Sequence, residues 1–265
     1  MESSWTPTRS TPVVYADLSG DRNPVHLDDE HARGAGFDGL IVHGMCVLAT
    51  AARAAAGFAP SETVLQALDV RFAQPVLPAQ QVDFTGSTKE KDGRHKVSLQ
   101  AQIDGTRIMS PANFTFGDSG LTPEVPKAVS LDADEDDVIG DPYRYSQEQV
   151  EAYRGITQPS PGDNSGVPAM TCMLGMTDAL GKAFGAVKPP ERPGTWVHLR
   201  QSGVFYRPVE ANVDYVCRIQ AGRRTVRPSA MGVMVTIPFV VETDQEKALV
   251  STGSCVLLYA FDREA

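Results

Sequence analysis

The residues best placed to do chemistry lie in one short stretch, Gly20-Asp21-Arg22-Asn23-Pro24-Val25-His26, which sets a carboxylate and an imidazole five residues apart around an Asn-Pro step. A carboxylate beside an imidazole is a general acid–base pair: the imidazole titrates near neutral pH, and the carboxylate can orient water or pass on a proton. Pro24 disfavours helix at Asn23 and promotes a turned loop, so Asp21 and His26 would meet through a bend rather than on one helix face. Asn23 can tie that bend down by hydrogen bonds from its side chain to nearby backbone. Taken alone, an Asp and a His in a loop make a structural turn more often than a catalytic pair.

What must position this loop is legible downstream. His43-Gly44 opens a run of small and apolar residues that continues through Ala51–Gly57 and reads as a buried helix, because it is apolar nearly all round. Strand-like segments follow at Val64–Ala73, Gln81–Lys89, Lys96–Ile103 and Arg107–Phe116, with turns at Asp92-Gly93 and Asp104-Gly105. The same order recurs half a chain later. A second helix-like run extends from Ala169 to about Phe184, followed by strands at Thr195–Tyr206, Asp214–Ala221, Gly232–Glu242 and Ala248–Phe261. Phe72-Ala73-Gln74-Pro75-Val76, leading to Val82-Asp83-Phe84, matches Phe205-Tyr206-Arg207-Pro208-Val209, leading to Val213-Asp214-Tyr215. The expected class is α+β: one buried helix wrapped by an antiparallel sheet, made twice, over residues 1–118 and 143–265, with 119–142 as an acidic linker.

The second copy bears on the chemistry of the first. Aligning Tyr153–Pro161 on Leu18–His26 keeps Gly and Pro but sets Ile156 opposite Asp21 and Pro161 opposite His26. The turn scaffold persists without the ionisable pair, so the pair is not needed to make the bend. That favours a catalytic role for it in the first copy.

The stretch Ser19-Gly20-Asp21-Arg22-Asn23-Pro24-Val25-His26, with His43-Gly44 and Phe72-x-x-Pro75-Val76 after it, resembles the signature of the MaoC-like proteins, the (R)-specific enoyl-CoA hydratases. The resemblance implies a double hotdog fold, with Asp21 and His26 as the catalytic dyad and Asn23 in the same loop. In fused hydratases of this kind the active motif lies in the C-terminal hotdog, whereas here it lies in the N-terminal one. The implied reaction is (R)-specific hydration of a 2-enoyl thioester, or dehydration of the 3-hydroxyacyl thioester, carried on coenzyme A or an acyl carrier protein and using no cofactor. Asn23 and Gly44 are expected to face the substrate. The Gly44 N–H, at a helix start, would stabilise the charge that develops on the thioester oxygen. Three alternatives stay open: addition of an amine or amino acid to the same enoyl thioester, a hotdog thioesterase, and a binding module or heteromer subunit without catalysis.

Composition narrows the setting. The 265 residues carry 24 Lys+Arg against 33 Asp+Glu, a net charge of −9, which argues against a nucleic-acid partner. Most of that excess lies in Ser119–Pro142, where Glu124, Asp132, Asp134, Glu135, Asp136, Asp137 and Asp141 face a single Lys127; the cluster reads as a solvated loop. No window is long and apolar enough for a membrane span, and MESSWTPTRS lacks the features of a secretory signal, so the expected compartment is the cytoplasm. Cys46, Cys172, Cys217 and Cys255 are scattered, which favours buried free thiols over a disulfide or zinc site. Arg218, Arg223, Arg224 and Arg227 form the densest basic cluster and could meet carrier phosphates or sit as solvated strand ends. Met170, Met173, Leu174 and Met176 could line an acyl channel or pack the core. His43 begins the helix and reads as satisfying local backbone, while His31, His95 and His198 lack an ionisable partner at a telling spacing. Two hotdogs already make a pseudo-dimer, and a homodimer of double hotdogs stays open.

Overall fold

Alternating burial along the strands and near-complete burial of one Ala-rich helix set the architecture of the first half. The computed structural model describes residues 2–118, 120, 123–159, 171, 175–186 and 194–261. The chain begins with β1 (Glu2–Trp5) and α1 (Thr11–Ser19), then a 3-10 turn at Pro24–His26, α2 (Asp29–Gly34) and α3 (Gly44–Ala56). Strands β2 (Val64–Phe72), β3 (Val82–Lys91), β4 (Arg94–Ile103), β5 (Thr106–Arg107) and β6 (Met109–Gly117) follow. The second half contains β7 (Val138–Ile139), β8 (Tyr143–Arg144), α4 (Gln147–Ile156), α5 (Met176–Ala186), β9 (Gly194–Phe205), β10 (Asp214–Ile219), β11 (Thr225–Ser229), β12 (Gly232–Thr243) and β13 (Leu249–Phe261).

These strands form one antiparallel sheet in the order β1-β3-β4-β6-β2-β9-β13-β12-β10-β7, with β5, β8 and β11 paired beside it. The halves join where β2 pairs with β9, from Ala67 opposite Val204 to Arg71 opposite Arg200. Asp69 and Arg200 close the seam on its outer face through two hydrogen bonds of 2.6 and 2.7 Å. The result is a double hotdog. Helix α3 packs against β2, β3, β4 and β6, and its Cys46, Leu48, Ala51 and Ala55 are fully buried in a core with Phe84, Val97 and Phe114. Alanine both favours helix and lets the curled sheet approach closely. Helix α5 takes the corresponding place in the second half, against β10 and β7. The expected run before it, including Met170, Met173 and Leu174, lies outside the described residues.

Helices α1, α2 and α4 are additions to the expected elements. Helix α1 stops at Gly20, which adopts a left-handed conformation (φ 74°) and donates its N–H to Ala16 O. Glycine takes that conformation at little cost, and the turn sends the chain into the Asp21 loop. Helix α4 starts with a capping box between Ser146 and Gln149 and packs against α1. It is tied to the first half by Trp5 Nε1–H, which donates to Ile156 O, and by Arg53 Nη1–H, which donates to Arg154 O. Ser19 donates its hydroxyl to Tyr15 O, and Thr157 donates to Tyr153 O in the same pattern. Tyr153 therefore corresponds to Tyr15, about one helical turn away from the expected alignment on Leu18. This places Pro159, not Ile156, opposite Asp21; the position opposite His26 becomes Asn164, which lies outside the described residues.

The acidic connector corrects a second expectation. Asp137 is not solvated: it is buried and accepts a hydrogen bond of 2.6 Å from Arg218, itself buried on β10. Arg218 also donates to Leu131 O and Asp132 O, so it is fully engaged in holding the connector and is unavailable to carrier phosphates. Arg223, Arg224 and Arg227 remain exposed. Cys46, Cys217 and Cys255 are buried; burial raises the Cys46 thiol and pushes Cys255 up to about 12. Cys172 lies outside the described residues.

Candidate active site

The Asp21 loop is held first by bonds from its backbone N–H groups to its own side-chain oxygens. Asp21 N–H donates to Ser19 Oγ (3.1 Å), and Asn23 N–H donates to Asp21 Oδ1 (3.2 Å). Asn23 Oδ1 accepts the Val25 N–H (3.3 Å) and so caps the 3-10 turn that carries His26. The loop is then pinned to the segment entering α3: Ile41 N–H donates to Val25 O, and His26 Nδ1–H donates to Ile41 O at 2.8 Å. Because a carbonyl can only accept, that last bond places the His26 proton on Nδ1. In the neutral ring Nε2 is left with a lone pair.

His43 stands at the start of α3. Its Nε2–H donates to Asp21 O at 2.9 Å, and its ring stacks on His26 with centroids 3.8 Å apart and planes 27° apart. Tyr15 covers the ring on another side, at 4.7 Å. Next in the chain, Gly44 presents an N–H that helix geometry leaves without an intrahelical acceptor, at the positive end of the α3 dipole. Phe72 packs over Gly44: a Cβ there would lie 3.5 Å from the Phe72 ring, in ordinary contact.

All four expected site residues, Asp21, Asn23, His26 and Gly44, line one cavity of about 400 Å³. Its walls are largely apolar and come from both halves: Val47 and Ile108 from the first, Met176, Leu180, Trp196 and Leu257 from the second. Of the four apolar residues expected to line an acyl channel or pack the core, Met176 is described; it is buried in the core and lines this cavity. Sequence spacing missed three further residues of this cavity, Tyr15, His43 and His198. The signal for His43 was its place immediately before Gly44. His198 gave none, since it arrives from β9 across the interface between halves, where its ring meets the edge of Phe72 at 5.2 Å.

Burial governs the ionisation of these groups. It lowers His26 below the ordinary histidine value of 6.5, partly offset by the Asp21 carboxylate and by the bond to Ile41 O. It lowers His43 further, with His26 adding to the effect, and brings His198 down to about 4. Tyr15 is pushed up by the same cause. The fold therefore favours neutral imidazoles, whereas the unfolded chain binds protons near 6.5. Stability should hold above about pH 6.5 and fall as the pH drops from there towards 4. Thermal unfolding across that range checks this, and a melting temperature that stayed flat or rose on acidification would contradict it.

Asp21, His26 and His43 also bring three atoms of metal-ligand type within 4.8 Å of one another. The two rings stack, and each donates one ring N–H to a backbone carbonyl, which leaves one nitrogen lone pair on each neutral ring.

Residues 2–106 match the family model described as MaoC like domain. The chain is 48% identical over 78 residues to the Drosophila melanogaster peroxisomal multifunctional enzyme type 2, covering 29% of this chain and 13% of that one. It is 40% identical over 80 residues to 3-hydroxyacyl-thioester dehydratase Y of Mycobacterium tuberculosis, covering 28% and 27%. These stretches are thus a small part of each relative. In fold, it is similar to a Mycobacterium tuberculosis protein described as a double hotdog, with a TM-score of 0.65 at 11% identity over 96% of this chain and 94% of that one. Among the described residues, no helix is long and apolar enough to cross a membrane.

Proposed function

We propose, from the MaoC-like domain that residues 2–106 carry, that this chain is a hydro-lyase acting on acyl thioesters. It would hydrate 2-enoyl thioesters to (R)-3-hydroxyacyl thioesters or run the reverse dehydration. The observation that carries the reading is the His26 tautomer: Nδ1–H is committed to Ile41 O, leaving Nε2 as a base beside the Asp21 carboxylate in a largely apolar cavity. In hydration, water oxygen bonds to Cβ, its proton passes to the Asp21/His26 pair, and the pair returns a proton to Cα. The pair ends as it began, so the reaction needs no cofactor. Charge on the thioester oxygen would be met by the Gly44 N–H at the α3 start. Asn23 shapes the loop and faces the same cavity, and the apolar walls from the second half suit the acyl chain. We read residues 1–118 as the catalytic unit, 119–142 as the linker and 143–265 as a remodelled unit that receives the acyl chain of a coenzyme A or carrier-protein thioester.

The test is direct. Incubation with crotonyl- or octenoyl-coenzyme A in buffer should remove the enoyl absorbance without release of free thiol. Loss only after an amine is added would replace hydration by conjugate amine addition. Release of thiol would indicate a thioesterase instead.

A further inference from the structure

We infer that His43 is a positioning residue that clamps the Asp21 loop to the start of α3 and sets the plane of the His26 ring, thereby fixing both reacting groups relative to Gly44. The inference rests on the hydration reading for its kinetic consequences, though not for its structural ones.

Three contacts of one side chain support it. The Nε2–H bond to Asp21 O at 2.9 Å is a direct tie between α3 and the backbone of the residue that bears the carboxylate. The stacking at 3.8 Å limits the tilt of the His26 ring, whose single bond to Ile41 O would otherwise leave it free to hinge. Tyr15 closes the other flank, so His43 cannot leave this position without opening the α1 packing. His43 is 1% exposed, and its Nδ1 is buried without a hydrogen-bond partner. A buried acceptor without a partner is unfavourable for folding. An apolar ring would avoid that cost but would lose the bond to Asp21 O, so the tie to the Asp21 loop is what the imidazole supplies here. The groups facing it, Asp21, His26 and Tyr15, all line the cavity, as His43 itself does.

Two variants separate the contacts. His43→Phe keeps a flat ring against His26 but removes the donor to Asp21 O and the orphan acceptor. His43→Gln keeps an amide N–H near the Nε2 position and removes the ring. With octenoyl-coenzyme A, His43→Phe should lower kcat on the order of 100-fold, the size expected of a misplacement near 1 Å, with little change in KM. His43→Gln should recover a substantial part of that loss. Thermal stability of His43→Phe should stay near that of the parent. Hydrogen exchange of the Asp21–His26 amides should be faster in His43→Phe than in the parent or His43→Gln. Unchanged kcat in His43→Phe or unchanged exchange would overturn the inference. If the parent protein proves inactive on enoyl thioesters, the hydration reading fails, and the exchange measurement still decides whether His43 clamps the loop.

Discussion

Replacing His26 by Ala, or Asp21 by Asn, is expected to lower the turnover of an enoyl thioester by about 10²–10⁴-fold, the range found for loss of a positioned acid or base. Asp21→Asn is the sharper probe. Its amide oxygen can still accept the Asn23 N–H that Asp21 Oδ1 accepts now, so the loop keeps its shape while the charge is lost. His26→Ala removes the lone pair at Nε2 and frees Ile41 O, but it leaves the His43 tie to Asp21 O in place. Both variants should melt near the parent temperature, and the losses should appear in kcat rather than KM. Because the proposed mechanism has the two groups handle one proton between them, the double variant should be little worse than the more damaging single one. A double variant whose loss equalled the product of the two would show that they act independently, and a single variant retaining full kcat would remove that residue from the mechanism.

The pH dependence follows from the same contacts. Burial lowers His26, so the base form persists below the range of an ordinary histidine. The acid limb of kcat/KM should therefore lie below 6.5, and in Asp21→Asn it should move lower still, because the carboxylate that raises His26 is gone.

The strand pattern of both halves was legible because alternation and turn residues are local properties: Asp92-Gly93 and Asp104-Gly105 do adopt the positive φ that those turns require. The Asp21 loop was legible for the same reason, since Ser19, Asn23 and Pro24 shape it within a few residues. What escaped depends on partners brought together by the fold. Helix α1 is short and carries no continuous apolar stripe, helix α4 is short and buries only Val150 and Tyr153, and the two pack on each other. His43 finds Asp21 from the far side of α2, and His198 reaches the cavity from the other half. The register of the second copy could not be set by Gly and Pro alone, because Gly155 lies inside α4 whereas Gly20 ends α1. The hydrogen bonds of Ser19 and Thr157 set it instead.

The connector gives the second large effect. Six acidic positions crowd into Leu131–Asp141, and charge density alone makes all of them look like solvent-facing groups. The fold singles out Asp137, whose Oδ2 takes the Arg218 guanidinium and the Asp134 N–H, while its Oδ1 is buried without a hydrogen-bond partner. Gln220, two residues beyond Arg218, adds a paired bond to the Ser130 backbone, so this stretch of connector is fastened along the edge of β10. Removing one member of a buried ion pair strands the other, and that typically costs about 3–5 kcal/mol. Asp137→Ala should therefore lower unfolding stability by about that amount, measured by urea denaturation. Replacing both residues by apolar ones of similar volume, Asp137→Leu with Arg218→Met, should recover most of the loss, because no charge is left behind. A cost below about 1 kcal/mol for Asp137→Ala would mean that water reaches Arg218, and that the connector is held by Gln220 and the backbone rather than by its buried pair.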